Sequence, residues 1–202
     1  MTQAIFIRHA QSEANVGLPT KNFAQVPLTE LGFEQAQALA DSWPFTPSRI
    51  ILSPYLRTRQ TAAPMIARYP QVPVETWDIQ EFTLWNPVVW GGSEPRDAME
   101  AVTRYWNDAD PEHRQAGQAE SFAELLRRAE SVFSRLETMD TPTPVLLFTH
   151  GHFIQALRLT VLYPEWTDRQ KMQEFMAFDD AQWVNNTQRV SAEFDGKLWR
   201  ID

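Results

Sequence analysis

The chain has 202 residues, of which 43% are hydrophobic and 22% are charged, a composition typical of a globular domain. It contains no cysteine, which excludes a disulfide scaffold, a thiolate zinc site and a cysteine nucleophile. The formal net charge of −8 argues against binding to nucleic acid, and no apolar run approaches the roughly 20 residues of a membrane span. Because the N-terminal residues also lack the basic start and long apolar core of a signal peptide, we expect a cytoplasmic protein with neither nucleic acid nor membrane as a partner.

Apolar runs and helical patterns alternate along the first part of the chain. The first run is rich in β-branched and aromatic residues, which favour a buried strand. Thr29 is a predicted N-cap, and Pro64 predicts a kink or an early end in the helix that contains it. In chain order, the predicted elements are a strand at 4–7, a helix from Thr29 to about Asp41, a strand at 49–52, a helix at 55–69 and a weak, short or edge strand at 72–75.

Residues 83–119 are less regular and contain Trp85, Trp90 and a Gly-Gly pair, which indicates a helical and loop insertion that acts as a lid. The elements predicted from this insertion onward are a short helix at 98–106, a helix at 119–138, a strand at 145–148, a helix from 151 to about Tyr163, and a strand pair at 188–194 and 197–201. Strands that alternate with helices predict an α/β fold, a three-layer α/β/α sandwich with a mostly parallel central sheet. We expect one domain over residues 1–202.

Basic side chains follow three of the predicted strands. Arg8 and His9 end the first strand, Arg57 comes shortly after the second, and His150 ends the third. The carboxyl ends of parallel strands meet at one edge of a sheet, where ligands bind. Each residue taken singly is more often structural, but their coincidence at three strand ends predicts a cationic pocket. Such a pocket in an acidic protein suits a small dianion such as a phosphoryl group.

Several segments resemble, in order and spacing, the motifs of the histidine phosphatase superfamily, also called phosphoglycerate mutase-like. They are FIRHAQSEAN at 6–15, PLTELG at 27–32, ILSPYLRTRQTA at 51–62, Glu81, ES at 120–121, FTHGH at 148–152 and NT at 186–187. The resemblance spans nearly the whole chain and points to the branch of small phosphatases. It implies the phosphoglycerate mutase-like fold.

The resemblance also implies the chemistry, which is hydrolysis of a small phosphorylated substrate through a phosphohistidine at His9. Arg8, Arg57 and His150 would neutralise the phosphoryl oxygens as the transition state develops. Because the arginines supply the positive charge, we expect neither a metal nor another cofactor. His152, two residues after His150, suggests a metal pair, but the sequence offers too few carboxylates beside it for a metal site.

Glu81 stands where the family keeps its acid, and it would protonate the leaving alkoxide and later deprotonate the attacking water. The neighbouring carboxylates Asp78 and Glu75 are the alternatives for this role. Four residues in or just after the motifs are expected to contact the substrate, although Lys21 is equally compatible with a solvated surface position. These are Asn15, Lys21, Gln11 and Gly151.

Three other functions remain open at this stage. A phosphoglycerate mutase would use the same phosphohistidine, but the family's mutases usually carry larger insertions between the acid and the second histidine than the stretch from Glu81 to His150. Dephosphorylation of proteins would need a more open rim than a tryptophan-rich insertion suggests. A non-catalytic phospho-ligand binding module is the third. Phosphosugars, phosphoglycolate-like acids, nucleoside monophosphates and cobamide precursors all remain possible substrates, and the sequence does not indicate the oligomeric state.

Overall fold

The computed structural model describes residues 2–20, 22–84, 95–115, 119–139 and 141–202. Within these residues, one sheet has the strand order β3-β2-β4-β1-β5-β6. Neighbours from β3 to β1 pair in parallel, whereas β5 pairs antiparallel with both β1 and β6. The strands are Thr2–Arg8 (β1), Arg49–Leu52 (β2), Val74–Thr76 (β3), Val145–Thr149 (β4), Arg189–Phe194 (β5) and Trp199–Ile201 (β6).

Three of the described α-helices begin at polar N-cap residues. Thr29, Ser121 and Thr167 each accept a hydrogen bond from a backbone N–H of the first turn, which satisfies a donor that the helix itself leaves free. Short 3-10 helices cover Glu13–Val16 and Phe23–Gln25. The α-helices are Glu30–Asp41 (α1), Leu56–Arg68 (α2), Pro95–Asp108 (α3), Phe122–Glu137 (α4), Gly151–Leu162 (α5) and Asp168–Ala181 (α6).

Alternate residues of β4 build two hydrophobic cores, one on each face of the sheet. Val145 and Leu147 belong to the core formed with α4, α5 and α6, whereas Leu146 and Phe148 belong to the core formed with α1 and α2. Both faces are covered, which is why this strand reads as a continuous apolar run. The predicted three-layer α/β/α sandwich with a mostly parallel sheet is confirmed.

The neighbouring strands β1 and β4 lead into helices on opposite faces. The chain leaves β1 towards α1, which packs on one face, and leaves β4 directly into α5, which packs on the other. A crevice therefore opens at the carboxyl ends of these two strands, the usual ligand position in an open α/β sheet. This crevice contains the predicted basic residues.

Two expectations differ from the structure. Of the two alternatives predicted at Pro64, a kink or an early end, the early end is wrong, because α2 continues to Arg68. Ala62 and Met65 are fully buried on either side of the proline, and this packing offsets the missing backbone hydrogen bond. The structure also contains α6, which no apolar period in the sequence predicts, because its buried face includes the polar residues Lys171 and Asp179.

The predicted insertion at 83–119 is described in part. Its predicted helix is longer than expected, running from Pro95 to Asp108, and Trp106 stacks on Phe175 of α6 with ring centroids 5.5 Å apart. Trp85 and Trp90 lie outside the described residues, so their place in a lid remains a prediction. Of the helices in the described ranges, none combines the length and the apolar character that crossing a membrane requires.

Candidate active site

Backbone hydrogen bonds between strand ends bring the two histidine motifs together. The His9 N–H donates to the Thr149 carbonyl at 2.9 Å, so His9 lies beside the end of β4, which His150 directly follows. The Ser53 N–H donates to the Phe148 carbonyl at 3.0 Å, which adds the end of β2 to the same edge. Ring centroids of His9 and His150 are 5.2 Å apart.

The protonated nitrogen of His9 is determined by its own loop. Nδ1 lies 2.7 Å from the Ala10 carbonyl, and because a carbonyl can only accept, Nδ1 carries the proton. Nε2 then holds the lone pair, and it accepts a hydrogen bond from Arg57 Nε at 3.1 Å. His9 is therefore held as the tautomer whose free lone pair points towards the arginine.

Arg57 connects the two imidazoles. Its Nη2 lies 3.0 Å from Nδ1 of His150, and its Nη1 donates to the Phe23 carbonyl at 2.7 Å. Since the guanidinium only donates, His150 Nδ1 accepts and the His150 proton is on Nε2, which lies 2.8 Å from Ser53 Oγ. Each of the three guanidinium nitrogens of Arg57 thus has a hydrogen-bond partner.

Burial and positive charge keep both histidines neutral. Burial lowers the pKa of His9 well below its usual value; the charges of Arg57 and Arg8 lower it further, and the hydrogen bond to Ala10 only partly opposes them. The pKa of His150 is also well below its usual value, because the ring is buried and lies near Arg57. A neutral imidazole can act as a nucleophile, whereas an imidazolium cannot.

Arg8 completes a basic cluster, defined here as Arg8, His9, Arg57 and His150. Its Nη1 donates to the Val184 carbonyl, and its guanidinium lies over the Trp183 ring at 4.8 Å. Its Nε is buried and has no hydrogen-bond partner among the described residues. An unpaired buried donor is costly unless something fills its place, and a phosphoryl oxygen would do so.

Glu81 lies in a segment without helix or strand, which we call the Glu81 segment (residues 78–84). Side chains from elsewhere hold its backbone: Thr149 Oγ1 donates to the Ile79 carbonyl at 2.6 Å, and Arg128 Nη1 donates to the Gln80 carbonyl at 3.2 Å. Burial lowers the pKa of Arg8 and of Arg57, and the charge of Glu81 opposes this shift in both. Glu81 is therefore within electrostatic reach of the basic cluster.

A largely buried ion pair between Arg128 of α4 and Glu120, just before this helix, supports the same segment. Arg128 Nη2 donates to Glu120 Oε2 at 2.8 Å, and the same carboxylate oxygen accepts from the Thr83 N–H at 3.3 Å. Both charged side chains are largely buried, so each needs the other for neutralisation. The motif pair at 120–121 thus has a structural role in this protein, since it supports the Glu81 segment and caps α4.

Asn15 and Gly151, two of the four residues expected to contact the substrate, are both among the described residues. Asn15 Oδ1 accepts from the Ser12 N–H and from Asn186 Nδ2, which leaves the amide Nδ2 of Asn15 for a ligand. Gly151 begins α5 and packs against the Arg8 side chain.

Gln11 is engaged in the scaffold instead, because its Oε1 accepts from Thr29 Oγ1 at 2.8 Å. Its carbonyl lies where a Cβ on Gly32 would come within 2.0 Å, so only glycine fits at that position of α1. Lys21 lies outside the described residues.

Several residues around the site were not predicted from the sequence. Ser53 orients His150, and Thr61 accepts from the Ala10 N–H at 3.0 Å while donating to the Arg57 carbonyl. Asn186 Nδ2 donates to the His9 carbonyl at 2.9 Å. The spacing of Thr61, one helical turn after Arg57, and the position of Ser53 directly after β2 were the signals that could have found them.

His152 has an acidic partner instead of a metal cluster. Its Nε2 lies 3.5 Å from Asp179 Oδ2. Burial alone would lower the pKa of His152, but the hydrogen bond to Asp179 and the charge of Glu81 outweigh it and raise the pKa. In the described ranges, no group of three or more histidines and carboxylates is arranged to hold a metal ion.

Comparison with known proteins places this geometry in a family. The structure is similar to a putative alpha-ribazole-5'-P phosphatase from Escherichia coli, with a TM-score of 0.76 and 20% identity over 100% of this chain and 94% of the other. It is also similar to a phosphoserine phosphatase from Entamoeba histolytica, with a TM-score of 0.74 and 18% identity over 100% and 95% of the two chains. A mycobacterial glucosyl-3-phosphoglycerate phosphatase gives a TM-score of 0.68 and 22% identity over 100% and 98%. At these identities the likeness establishes the fold.

Comparison of the sequence gives one match over about a third of the chain and one over nearly all of it. A 5''-phosphoribostamycin phosphatase from Niallia circulans is 43% identical over 75 residues, which cover 34% of this chain and 35% of that protein. This chain thus matches about a third of the length of that curated relative. The family model of the histidine phosphatase superfamily (branch 1) matches residues 4–201, nearly the entire chain. The protein therefore belongs to the histidine phosphatase superfamily, branch 1.

Proposed function

We propose that the protein is a phosphatase that hydrolyses a small phosphomonoester, with Nε2 of His9 as the nucleophile. The observation that carries this proposal is the hydrogen bond of His9 Nδ1 to the Ala10 carbonyl, which leaves the Nε2 lone pair beside Arg57. The lowered pKa of His9 keeps that lone pair available at neutral pH.

In the first step, the Nε2–phosphorus bond forms and the phosphorus–oxygen bond to the alcohol breaks. The basic cluster offsets the charge of the phosphoryl oxygens, and the buried, unpaired Nε of Arg8 supplies one donor for them. Glu81 gives its proton to the departing alkoxide. The products of this step are the free alcohol and a phosphohistidine.

In the second step, water attacks the phosphorus of the phosphohistidine. Glu81, now ionised, takes a proton from the water as the phosphorus–Nε2 bond breaks. Inorganic phosphate leaves, and His9 returns to its starting tautomer. Because the guanidinium groups supply the positive charge, the proposed cycle uses no metal ion.

The environment of the three candidate carboxylates supports Glu81 as the proton donor. Glu81 lines the cavity beside Arg57, whereas Asp78 is exposed and Glu75 is on the edge strand β3. Glu75 is also engaged, since it accepts from Trp77 Nε1 at 2.9 Å and pairs with Arg49. The similar proteins named as a 5''-phosphoribostamycin phosphatase, a putative alpha-ribazole-5'-P phosphatase and a glucosyl-3-phosphoglycerate phosphatase support hydrolysis over the isomerisation of a mutase.

The test is hydrolysis of p-nitrophenyl phosphate in excess EDTA by wild type, His9→Ala and His113→Ala. His113 is an exposed histidine away from the basic cluster and serves as the matched control. We expect wild type and His113→Ala to turn over equally, and His9→Ala to lose activity by about 10⁴-fold or more with an unchanged unfolding temperature. Activity of His9→Ala within about tenfold of wild type would overturn the assignment of the nucleophile.

A second measurement separates the alternatives. Wild type mixed with excess substrate and quenched in alkali should carry one phosphoryl group on His9, detected by mass spectrometry of the peptide. A phosphorylated enzyme that releases no inorganic phosphate would indicate a mutase-type isomerase. Substrate binding without phosphorylation would indicate a binding module.

A further inference from the structure

A cavity of about 220 Å³ opens beside Arg57 and Glu81, and its walls are mainly apolar, unlike the basic cluster. Among the described residues, its walls include Phe23, Tyr55, Phe82 and Leu84. This volume lies just below the range of about 300–1,000 Å³ that is usual for pockets of drug-sized ligands, so the cavity suits a small organic group. Apolar walls with a few polar groups at one end are typical of sites for organic ligands.

The position of Glu81 indicates which part of the substrate this cavity receives. A proton donor to the departing alkoxide must lie on the leaving-group side of the phosphorus. Glu81 lines the cavity together with Arg57, which faces the two histidines. The phosphoryl group therefore belongs to the basic cluster, and the alcohol belongs to the apolar cavity.

The apolar walls are held in place by the surrounding structure. Phe82 packs edge-on against Phe122, with ring centroids 6.2 Å apart, and Leu84 is only 5% exposed. Phe23 is 38% exposed, so its ring is accessible to a ligand in the cavity. Its carbonyl accepts the hydrogen bond from Arg57 Nη1, so the backbone of Phe23 is held beside the basic cluster.

The charged groups that line the cavity do not favour a substrate whose alcohol carries a second negative charge. His152 lines the cavity, but Asp179 pairs with it. Arg57 already donates to Phe23, His9 and His150. Within the described part of the wall, Arg57 therefore serves the phosphoryl group and His152 is paired with Asp179, so neither is available to a second anion.

We propose that the preferred substrates are phosphomonoesters of alcohols with an uncharged, apolar or aromatic body, and that Phe23 determines this preference. The proposal rests on the phosphatase function proposed above. Burial of a phenyl-sized group against four apolar side chains favours such esters over those of polyols or hydroxy acids.

The test compares kcat/KM for phenethyl phosphate, glycerol 3-phosphate and 3-phosphoglycerate, all of which have alkyl leaving groups. We expect phenethyl phosphate to be preferred by about tenfold or more, since one buried apolar group supports discrimination of about that size. Phe23→Ser should reduce this preference by roughly tenfold, because kcat/KM for phenethyl phosphate should fall more than that for glycerol 3-phosphate. Phe33→Ser, at an exposed phenylalanine on α1, is the matched control and should leave the preference as in wild type.

The outcomes for specificity and for hydrolysis are separable. Equal or faster turnover of glycerol 3-phosphate or 3-phosphoglycerate by wild type would overturn the proposal, whatever the variants do. An unchanged preference in a folded Phe23→Ser protein would show that Phe23 does not determine the preference. Failure of all three esters and of p-nitrophenyl phosphate would instead contradict the phosphatase function itself.

Discussion

The basic cluster and the Glu81 segment lie side by side but are built in different ways. Residues of the basic cluster come from strand ends or the first turn of the following helix, and Arg57 contacts both imidazoles directly. The Glu81 segment has no helix or strand, and Thr149, Glu120 and Arg128 hold it from other elements. The sheet therefore determines where phosphate can bind, whereas long-range contacts determine where the proton donor lies.

Because of this difference, we expect a substitution in the basic cluster to cause the largest loss of activity. Arg57→Met removes the donor to both imidazoles and one charge beside the phosphoryl group. We expect kcat/KM for p-nitrophenyl phosphate to fall by about 10³-fold, the usual size for a lost transition-state contact to an oxyanion. Arg59→Met, at an exposed arginine of the same helix, is the control and should retain wild-type activity. A loss of less than about tenfold in Arg57→Met would mean that the cluster does not bind the phosphoryl group.

Substitution of Glu81 should cause a smaller loss of activity, and the size of this loss should depend on the leaving group of the ester. Glu81→Gln removes the proton donor, so esters of poorly acidic alcohols should suffer more than esters of phenols. We expect kcat/KM for phenethyl phosphate to fall by about 10²-fold, and that for p-nitrophenyl phosphate by at most about tenfold. Glu130→Gln, at an exposed glutamate of α4, controls for the change of charge. Equal losses on both esters would exclude Glu81 as the proton donor.

The smallest expected effect is a difference in pKa among three histidines of the wild-type protein, His9, His150 and His152. The pKa values of His9 and His150 are lowered well below 6.5, whereas the pKa of His152 is raised. In an NMR titration of the imidazole signals, we expect the first two to gain protons only well below pH 6.5 and His152 to gain its proton above it. Signals are assigned by single substitution of each histidine. Titration of His9 above His152 would contradict the charge distribution described here.

These shifts also predict how stability changes with pH. When pH falls below about 6.5, the unfolded chain protonates the histidines that correspond to His9 and His150, but the folded protein does not. Their contribution to the free energy of unfolding is therefore complete above this pH and decreases on acidification. His152 acts in the opposite direction, because its contribution is present below this pH and is lost as pH rises through its raised pKa.

Most of the basic cluster was predictable because each member follows a strong local signal. The apolar runs before Arg8 and His150 predict buried strands, and parallel pairing brings their ends together. Ser53 and Asn186 were missed as supporting residues, because their roles depend on partners far away in the sequence. The helix α6 was missed for a related reason: Asp179 is buried there because it pairs with His152 and Gln155, which hides the apolar period.

The sequence by itself determined the α/β class, the strand ends and the identity of the basic residues, since short apolar runs and motif spacing act over a few neighbouring residues. Only the tertiary structure decided which nitrogen of His9 carries the proton, because that depends on the distance to the Ala10 carbonyl and on the position of Arg57. It also decided that an apolar cavity lies beside Glu81, since its walls come from segments that meet only when the sheet has formed. Local patterns specify elements, and packing between distant elements specifies the chemistry of the site.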